Sequence, residues 1–502
     1  MHMKPVSRAQ VHLLPDYSHV IINLGATQKG NRAKAVVLNP NSEGDICTGG
    51  TLALEVSVSE GNNTSRAVEL PILNDVVNEP FVFPVSDPDK TWLAFRLYRA
   101  ASLHTGGRDL LGSGVTLLKS LSDCFGTERE SLVRERTIPI LGKDTLIPVG
   151  TVTFTFLIAS PMAPLNISTA RDTPTFTTSS LQLVGHRGLG QNTANRSHLQ
   201  LGENTMESFR LAAKQGATYV EFDVQLTRDL VPVLYHDFSL SESGTDIPIH
   251  ELTAEQIVTQ DARKPHRVEH PHTRSRSFTE EDGRRTQEIR DRLKHTVDFR
   301  NKGFKPNTRG DCIQDSFATL EDVLTKLPES VGLNVEIKYP RIHEAAEAGV
   351  APLAIEINTF VDRILEKILL HARNTRNIIL SSFTPEVCIL LAFKQRVYPV
   401  MFITNAGKPP VTDLETRASS LQSAVCFAKR WSLAGIVFAS ETLISCPRLI
   451  RYVKESRLVC GSYGLQNNIP ENAIVQAAAG IDILIADRVG LISAALREGG
   501  YL

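Results

Sequence analysis

The sequence predicts two domains in tandem, an antiparallel β-sandwich over residues 1–160 and an α/β domain of the (β/α)8 barrel class over residues 181–502. Three observations carry this expectation. The first third alternates short apolar and polar runs with Gly-, Asn- and Pro-rich breaks and has almost no helical periodicity. Residues 161–180 are rich in Pro, Thr and Ser and read as a linker. Beyond the linker, eight apolar runs alternate with amphipathic segments, as a closed ring of parallel strands with crossover helices requires.

In the first domain the strand candidates are 19–24, 33–38, 51–59, 66–73, 92–98, 112–118 and 151–158, within an expected total of seven to nine. The intervening loops read as polar. In the second domain the candidates are 183–186, 220–225, 333–338, 378–382, 399–403, 435–438, 458–462 and 483–487. Helices such as 205–215, 354–373 and 447–455 lie between them. A doubly wound open sheet is the rival arrangement, but no Gly-rich dinucleotide loop follows the first of these strands. Residues 263–310 are crowded with charge, lack apolar periodicity and exceed the length of a compact loop, so they read as an insertion or a lid. His250, His266, His270, His272 and His295, in or near that stretch, read as solvated.

Charged residues make up 22% and hydrophobic ones 42% of the 502 residues, with a net charge of −1. This is ordinary globular composition with no global field to draw in nucleic acid. No run of 18 apolar residues exists, so no integral membrane segment is expected. The seven cysteines are odd in number and none lies within metal-ligand spacing of another. Together with the lack of a signal-peptide pattern, that points to reduced thiols and a cytoplasmic location.

The informative residues sit at barrel strand ends. His186-Arg187-Gly188 closes the first run, and Glu221-Phe222-Asp223 places two carboxylates on one face of the second. A turn at 227–230 leads to His236-Asp237; a two-residue hairpin centred on Arg228-Asp229 sets Glu221 opposite His236, and a bulge would shift this by one position. Glu336 and Lys338 form a further period-two pair. Three carboxylates converging from two strands repel one another unless a cation neutralises them, and all-oxygen ligands favour one hard divalent ion, magnesium or calcium. Such an ion, with Arg187 and Lys338, makes an anion pocket that fits a phosphodiester. His186 and His236 flank it as a candidate acid–base pair. The plainer alternative is that Glu221 and Asp223 form an inward polar layer bonded to Lys338.

His186-Arg187-Gly188, Glu203-Asn204-Thr205, Glu221-x-Asp223, His236-Asp237 and Glu336-x-Lys338 together resemble the successive motifs of the glycerophosphodiester phosphodiesterase family; Ser382-Phe383 and Ala486-Asp487 resemble its weaker C-terminal motifs. The resemblance covers residues 181–495. It implies a TIM-type barrel, His186 and His236 as catalytic acid and base, and Glu221, Asp223 and Glu336 as metal ligands. Glu203 is open to three readings: a fourth ligand, a partner orienting Arg187, which we favour, or part of the N-cap of the helix starting near Thr205. Phe383 and Tyr463 stand as substrate contacts beside the plainer reading of core or rim residues, with a cation–π role open for Tyr463. Many family members carry Trp where Ser462-Tyr463-Gly464 stands, and a subfamily with Asn467-Asn468 nearby is similar to this chain.

The pairing of a β-rich region with this barrel is similar to the fungal intracellular glycerophosphocholine phosphodiesterases, in which SPX and ankyrin-repeat regions lie upstream. The sandwich more loosely resembles the membrane-docking domain named after the second conserved region of protein kinase C. Its scattered acids, Asp75, Asp87 and Asp89, are too thin a set for a calcium cup. The expected activity is therefore metal-dependent hydrolysis of a small glycerophosphodiester, glycerophosphocholine by resemblance, to glycerol 3-phosphate and choline. Two rivals stay open. One is a catalytically silent regulator of phosphate signalling, which the loss of a histidine or carboxylate would favour. The other is a lipid phosphodiesterase docked on membranes, which would need exposed apolar or basic loops.

Overall fold

The computed structural model describes residues 17–27, 34–39, 51–59, 65–71, 80–100, 108–118, 128–163, 180–193, 201–241, 244–262, 291–303, 316–372, 376–408 and 415–502, with isolated positions at 284 and 287–288. Most of the expected linker and of the charged stretch 263–310, and with them His266, His270, His272 and Asp75, lie outside these residues. Among the described residues the first domain has ten strands: β1 (Ser18–Leu24), β2 (Val36–Leu38), β3 (Thr51–Val58), β4 (Arg66–Leu70), β5 (Phe81–Val85), β6 (Trp92–Ala100), β7 (Arg108–Leu117), β8 (Arg129–Ser131), β9 (Glu135–Gly142) and β10 (Pro148–Ala159).

The strands other than β8 form one antiparallel ribbon, ordered β4-β3-β6-β7-β9-β10-β1-β5, with β2 beside β10. The ribbon folds onto itself where β7 and β9 share only the pairs Gly112↔Gly142 and Ser113↔Leu141. A side chain on Gly112 would lie 2.5 Å from the Leu141 carbonyl, so only glycine admits this close approach. Folding brings Phe95 of β6 against Phe154 of β10, ring centres 4.7 Å apart, in a core that draws on both halves.

β5 and β9 were not predicted, because Pro84 and Pro139 interrupt otherwise strand-like runs. β5 is an edge strand, where a missing backbone donor does no harm. The expectation of polar sandwich loops also needs correction. Between β9 and β10, Leu146 and Ile147 are 72% and 65% exposed.

The second domain contains β11 (Gln182–Gly185), β12 (Tyr219–Leu226), β13 (Pro232–Leu234), β14 (Ser239–Leu240), β15 (Ile247–Pro248), β16 (Gly332–Ile337), β17 (Leu353–Ile355), β18 (Ile378–Ser382), β19 (Val400–Thr404), β20 (Gly435–Ala439), β21 (Val459–Tyr463) and β22 (Ile483–Ala486). Eight of these run parallel in the order β11-β22-β21-β20-β19-β18-β16-β12, and β11 pairs with β12 to close the ring. These are the eight predicted runs. Val184, Ile379, Met401, Val437 and Ile485 fill the interior, while the opposite faces pack against the surrounding helices.

The two domains share apolar surface. Period-two alternation splits β10: Val152 and Phe154 face the sandwich core, whereas Leu157 and Ala159 join the barrel's helical layer together with Ile21 of β1. Asn358 bonds the end of β10 in both directions, accepting from Ser160 N and donating to Ile158 O at 2.9 Å each. β8 leaves the ribbon and pairs antiparallel with β17, Glu130 opposite Ala354. This corrects the helix expected at 354–373, whose first residues are strand; the helix spans Ile357–His371, capped by Glu356.

His250 is likewise not solvated. Its side chain is only 16% exposed, and burial, then the Arg129 charge, lower its pKa to about 4.

Because Phe154 is fully buried against Phe95, Phe154→Ala should destabilise the sandwich by about 3–5 kcal/mol. Urea unfolding followed by circular dichroism measures this; a loss below 1 kcal/mol would mean the folded ribbon is not the core that these contacts describe.

Candidate active site

The mouth of the barrel holds a cavity of about 230 Å³, lined among others by His186, Arg187, Glu221, His236, Glu336 and Lys338. Its acidic floor follows from strand register. β12 and β16 pair with Asp223 directly opposite Glu336, and Glu221 lies two residues earlier on the same face. Carboxylate oxygens of Glu221, Asp223 and Glu336 all lie within 4.8 Å of one another, buried. Lys338 Nζ sits 3.4 Å from Asp223 Oδ1 and 3.3 Å from Glu336 Oε1, and Arg187 Nε sits 3.4 Å from Asp223 Oδ2.

This arrangement separates the titrations of the two neighbours on β12. Burial opposes the charge on Asp223, but Lys338, His236, Arg187 and a hydrogen bond from Asn204 outweigh it and hold the carboxyl well below its ordinary range. Burial, then the Asp223 charge, push Glu221 upward. Glu221 Oε2 accepts from Arg187 N at 2.8 Å, while its buried Oε1 has no hydrogen-bond partner. An orphaned buried carboxylate oxygen beside two further carboxylates is a donor set that fits a hard divalent ion. The polar-layer alternative accounts for Asp223 and Glu336, which Lys338 touches, and leaves Glu221 Oε1 unexplained.

Each histidine is held by a carboxylate on its Nδ1. Asp487, just past β22, lies 2.7 Å from His186 Nδ1, and Asp237 lies 2.6 Å from His236 Nδ1. The other ring nitrogen of His186 faces Glu221 Oε2 at 4.0 Å. Burial disfavours the imidazolium of His186, yet the Asp487 hydrogen bond and charge raise its pKa overall. Burial, Arg187 and Lys338 lower that of His236. Asp487 is itself anchored: its Oδ2 accepts from Asn468 Nδ2 at 2.6 Å, and its N donates to Asn468 Oδ1 at 2.8 Å. Burial opposes its ionisation, but His186 and Asn468 bring its pKa down to about 2.

His236 does not stand opposite Glu221. The pairs Val224↔Leu234, Gln225↔Val233 and Leu226↔Pro232 shift the register by one residue. The turn has three residues rather than two, with Leu230 left-handed at φ +60° and Thr227 N bonding Val231 O at 3.1 Å. Backbone pairing ends with Tyr235 N on Asp223 O at 3.1 Å, and Gln225 Nε2 pins the following segment by donating to Tyr235 O and Asp237 O at 2.7 and 2.8 Å.

Glu203-Asn204-Thr205 divides into three tasks. Glu203 accepts from Arg187 Nη1 at 2.8 Å and from Asn192 N at 2.6 Å; Asn204 donates to Asp223; Thr205 caps the helix Met206–Lys214. Gly188, at φ +91°, lets the His186–Gly188 turn press on that helix, since a Cβ there would meet Ser208 Oγ at 2.3 Å. Phe383 and Tyr463 line the cavity edge to face, 5.7 Å between ring centres, with Tyr463 Oη donating to Asn405 Oδ1 at 2.6 Å. All ten residues singled out in the sequence therefore gather at or just behind one cavity. The supporting roles of Asp237, Asp487, Asn204 and Asn468 were not foreseen. A carboxylate placed to hold each histidine was the signal available, in the His-Asp dipeptide and in Ala486-Asp487.

Comparison with known proteins decides the family. A profile described as the glycerophosphoryl diester phosphodiesterase family matches residues 186–491, more than half of the chain. The chain belongs to this family. Residues 14–163 match a second profile, a GDE1-like C2 domain, which accords with the folded antiparallel ribbon. Proteins called glycerophosphocholine phosphodiesterase are similar to it. That of Eremothecium gossypii is 42% identical over 76% of this chain and 31% of its own length, and that of Candida albicans 38% identical over 99% of this chain and 45% of its own. The Schizosaccharomyces pombe protein is 38% identical over 78% and 38%. The chain thus spans less than half the length of these curated relatives. No helix among the described residues is long and apolar enough to cross a membrane.

Because burial is offset at His186 chiefly by Asp487, Asp487→Asn should lower its pKa, leaving burial and the Arg187 charge opposed only by the weaker pull of Glu221. NMR titration of the imidazole in metal-free protein reads this directly, and an unchanged value would refute it. With its pKa raised above 6.5, the pair stabilises the fold below that pH, and the contribution fades as pH rises through the folded-state value.

Proposed function

We propose that the barrel hydrolyses glycerophosphocholine to glycerol 3-phosphate and choline, using His186 and His236 as acid–base pair with Glu221, Asp223 and Glu336 as ligands of magnesium or calcium. The observation that carries this reading is the pairing, in one cavity, of two carboxylate-held histidines with a buried three-carboxylate cluster that has an orphaned oxygen. The choice of glycerophosphocholine follows the names of the relatives.

A bound divalent ion would supply charge stabilisation at the phosphoryl oxygens. The protein's own groups would do the rest. Arg187 and Lys338 offer guanidinium and ammonium donors to the phosphodiester. Glu203 fixes the guanidinium of Arg187, and Phe383 and Tyr463 provide aromatic surface for the trimethylammonium end. No serine or cysteine nucleophile of the elbow type accompanies the histidines, so the substrate's own glycerol hydroxyl next to the phosphate ester is the nucleophile we assign. One histidine takes its proton as the oxygen–phosphorus bond forms, and the other protonates the departing choline oxygen. Water then opens the resulting cyclic phosphate. Intramolecular attack of this kind reaches effective molarities of about 10⁵–10⁸ M.

Retention of every histidine and carboxylate position argues against a silent regulator. A panel of glycerophosphodiesters assayed with and without chelator tests the proposal. Turnover of glycerophosphocholine should vanish in chelator and return with magnesium or calcium; full turnover by verified metal-free protein would overturn the metal assignment. His186→Ala and His236→Ala should each cost about 10²–10⁴-fold in turnover with the fold retained. A loss of only a few-fold would return that histidine to a structural role. A substrate analogue lacking the one hydroxyl should bind but react far more slowly, and a rate near the parent's would mean direct attack by water.

A further inference from the structure

We propose that the sandwich is a working part of the barrel's active site, and that Glu130 of β8 and Tyr339 of the barrel are positioning residues for Lys338. The inference rests on the proposed function above. Lys338 and Tyr339 follow β16 directly, and they point to opposite sides of the chain. Lys338 reaches inward between Asp223 and Glu336. Tyr339, 2% exposed, reaches outward, and its hydroxyl, with one proton to give, faces two acceptors, Glu130 Oε1 at 2.6 Å and Ile355 O at 2.9 Å.

Glu130 Oε1 is a junction. It also accepts from the Ile357 backbone N at 3.1 Å and from Arg134 Nη2, so strands and a helix start from both domains meet on it. β8 is clamped there by its pairing with β17, by Leu132 N on Pro352 O at 2.9 Å and by Glu356 N on Glu128 O at 2.8 Å. The barrel side is equally fixed. Tyr339 O accepts from Thr384 Oγ1 at 2.8 Å, and its ring stands edge-on to Phe360 with centres 5.1 Å apart.

Two residues on, the Arg341 guanidinium lies over the Phe383 ring at 5.2 Å, and Phe383 lines the cavity. A four-residue segment therefore touches the reaction cavity at its start and, through Phe383, at its end, and it is anchored to the other domain in between. Lys338 N bonds Val224 O at 3.0 Å, so β12 holds the near end of this segment, and Tyr339 with its partners holds the stretch just beyond it. Catalytic groups displaced by about 1 Å lose on the order of 10²-fold in rate.

Three variants of the full chain separate positioning from mere support: Tyr339→Phe, which removes only the hydroxyl, Glu130→Ala, which removes the acceptor on the sandwich and leaves Ile355 O, and Glu130→Gln, which keeps an acceptor oxygen on β8. The measurement is kcat/KM for glycerophosphocholine per folded molecule, well below the unfolding temperature, with folding checked by near-UV circular dichroism. Tyr339→Phe and Glu130→Ala should lose about ten- to a hundredfold, and Glu130→Gln should stay within about threefold of the parent. If the first two keep the parental kcat/KM while melting at lower temperature, the contact is purely structural and the proposal is wrong. Equal losses in Glu130→Ala and Glu130→Gln would overturn it too. Should Glu130→Ala fail to fold, Tyr339→Phe decides alone. If the parent protein does not turn over glycerophosphocholine, the proposed function falls, and glycerol 3-phosphate binding becomes the readout: weaker binding to Tyr339→Phe than to the parent supports positioning, and equal affinity refutes it.

Discussion

Like-charge crowding on the barrel floor is the constraint from which the rest of this site follows. Asp223 and Glu336 are forced side by side by strand register, and Glu221 shares their face. Buried carboxylates at such spacing repel strongly in a medium of low polarity, so every nearby element is recruited to offset them. Lys338 comes from the position just past the strand that carries Glu336, Arg187 from the turn after β11, and Asn204 from the loop before a helix. Arg187 in turn needs Glu203 to fix its guanidinium, and its left-handed backbone, φ +46°, is held by the bond from its N to Glu221. The geometry of the substrate-facing side is thus largely the solution to an electrostatic problem.

Much of this is legible in the amino-acid sequence alone. The eight barrel strands stand out as apolar runs because both of their faces are covered, one by the barrel interior and one by helices. The candidate site residues are legible because charged side chains at the ends of such runs have no packing reason to be there. The supporting carboxylates were harder to see. Asp487 lies 301 positions from His186, and only ring closure between β11 and β22 brings them together.

The other misses have local causes. Pro84 and Pro139 hid two strands whose other residues alternate well. β8 and β17 are three residues each, too short for any periodic signal, and each exists because the other does. The turn before His236 takes the second of the two registers left open, shifted by one, because a leucine, not a glycine, occupies its left-handed position. No composition cue marks such a residue.

The antiparallel arm that carries His236 has an architectural consequence. Unlike the other charged groups of the cavity, this histidine does not ride on the ring; it rides on an appendage, and the same appendage is the base from which the long charged excursion departs and to which it returns. Leu234 N bonds Ala318 O and Val233 bridges Thr319 on the returning side, while Arg228 N bonds Leu252 O and Ala254 N bonds Asp229 Oδ1 on the departing side, so the described residues flanking the excursion are both tied to this one hairpin. Once the ends are pinned, lengthening the chain between them costs little, about 0.6 kcal/mol per doubling. The length of that excursion is therefore a cheap variable, while the ties at its root give the histidine an address that does not depend on it.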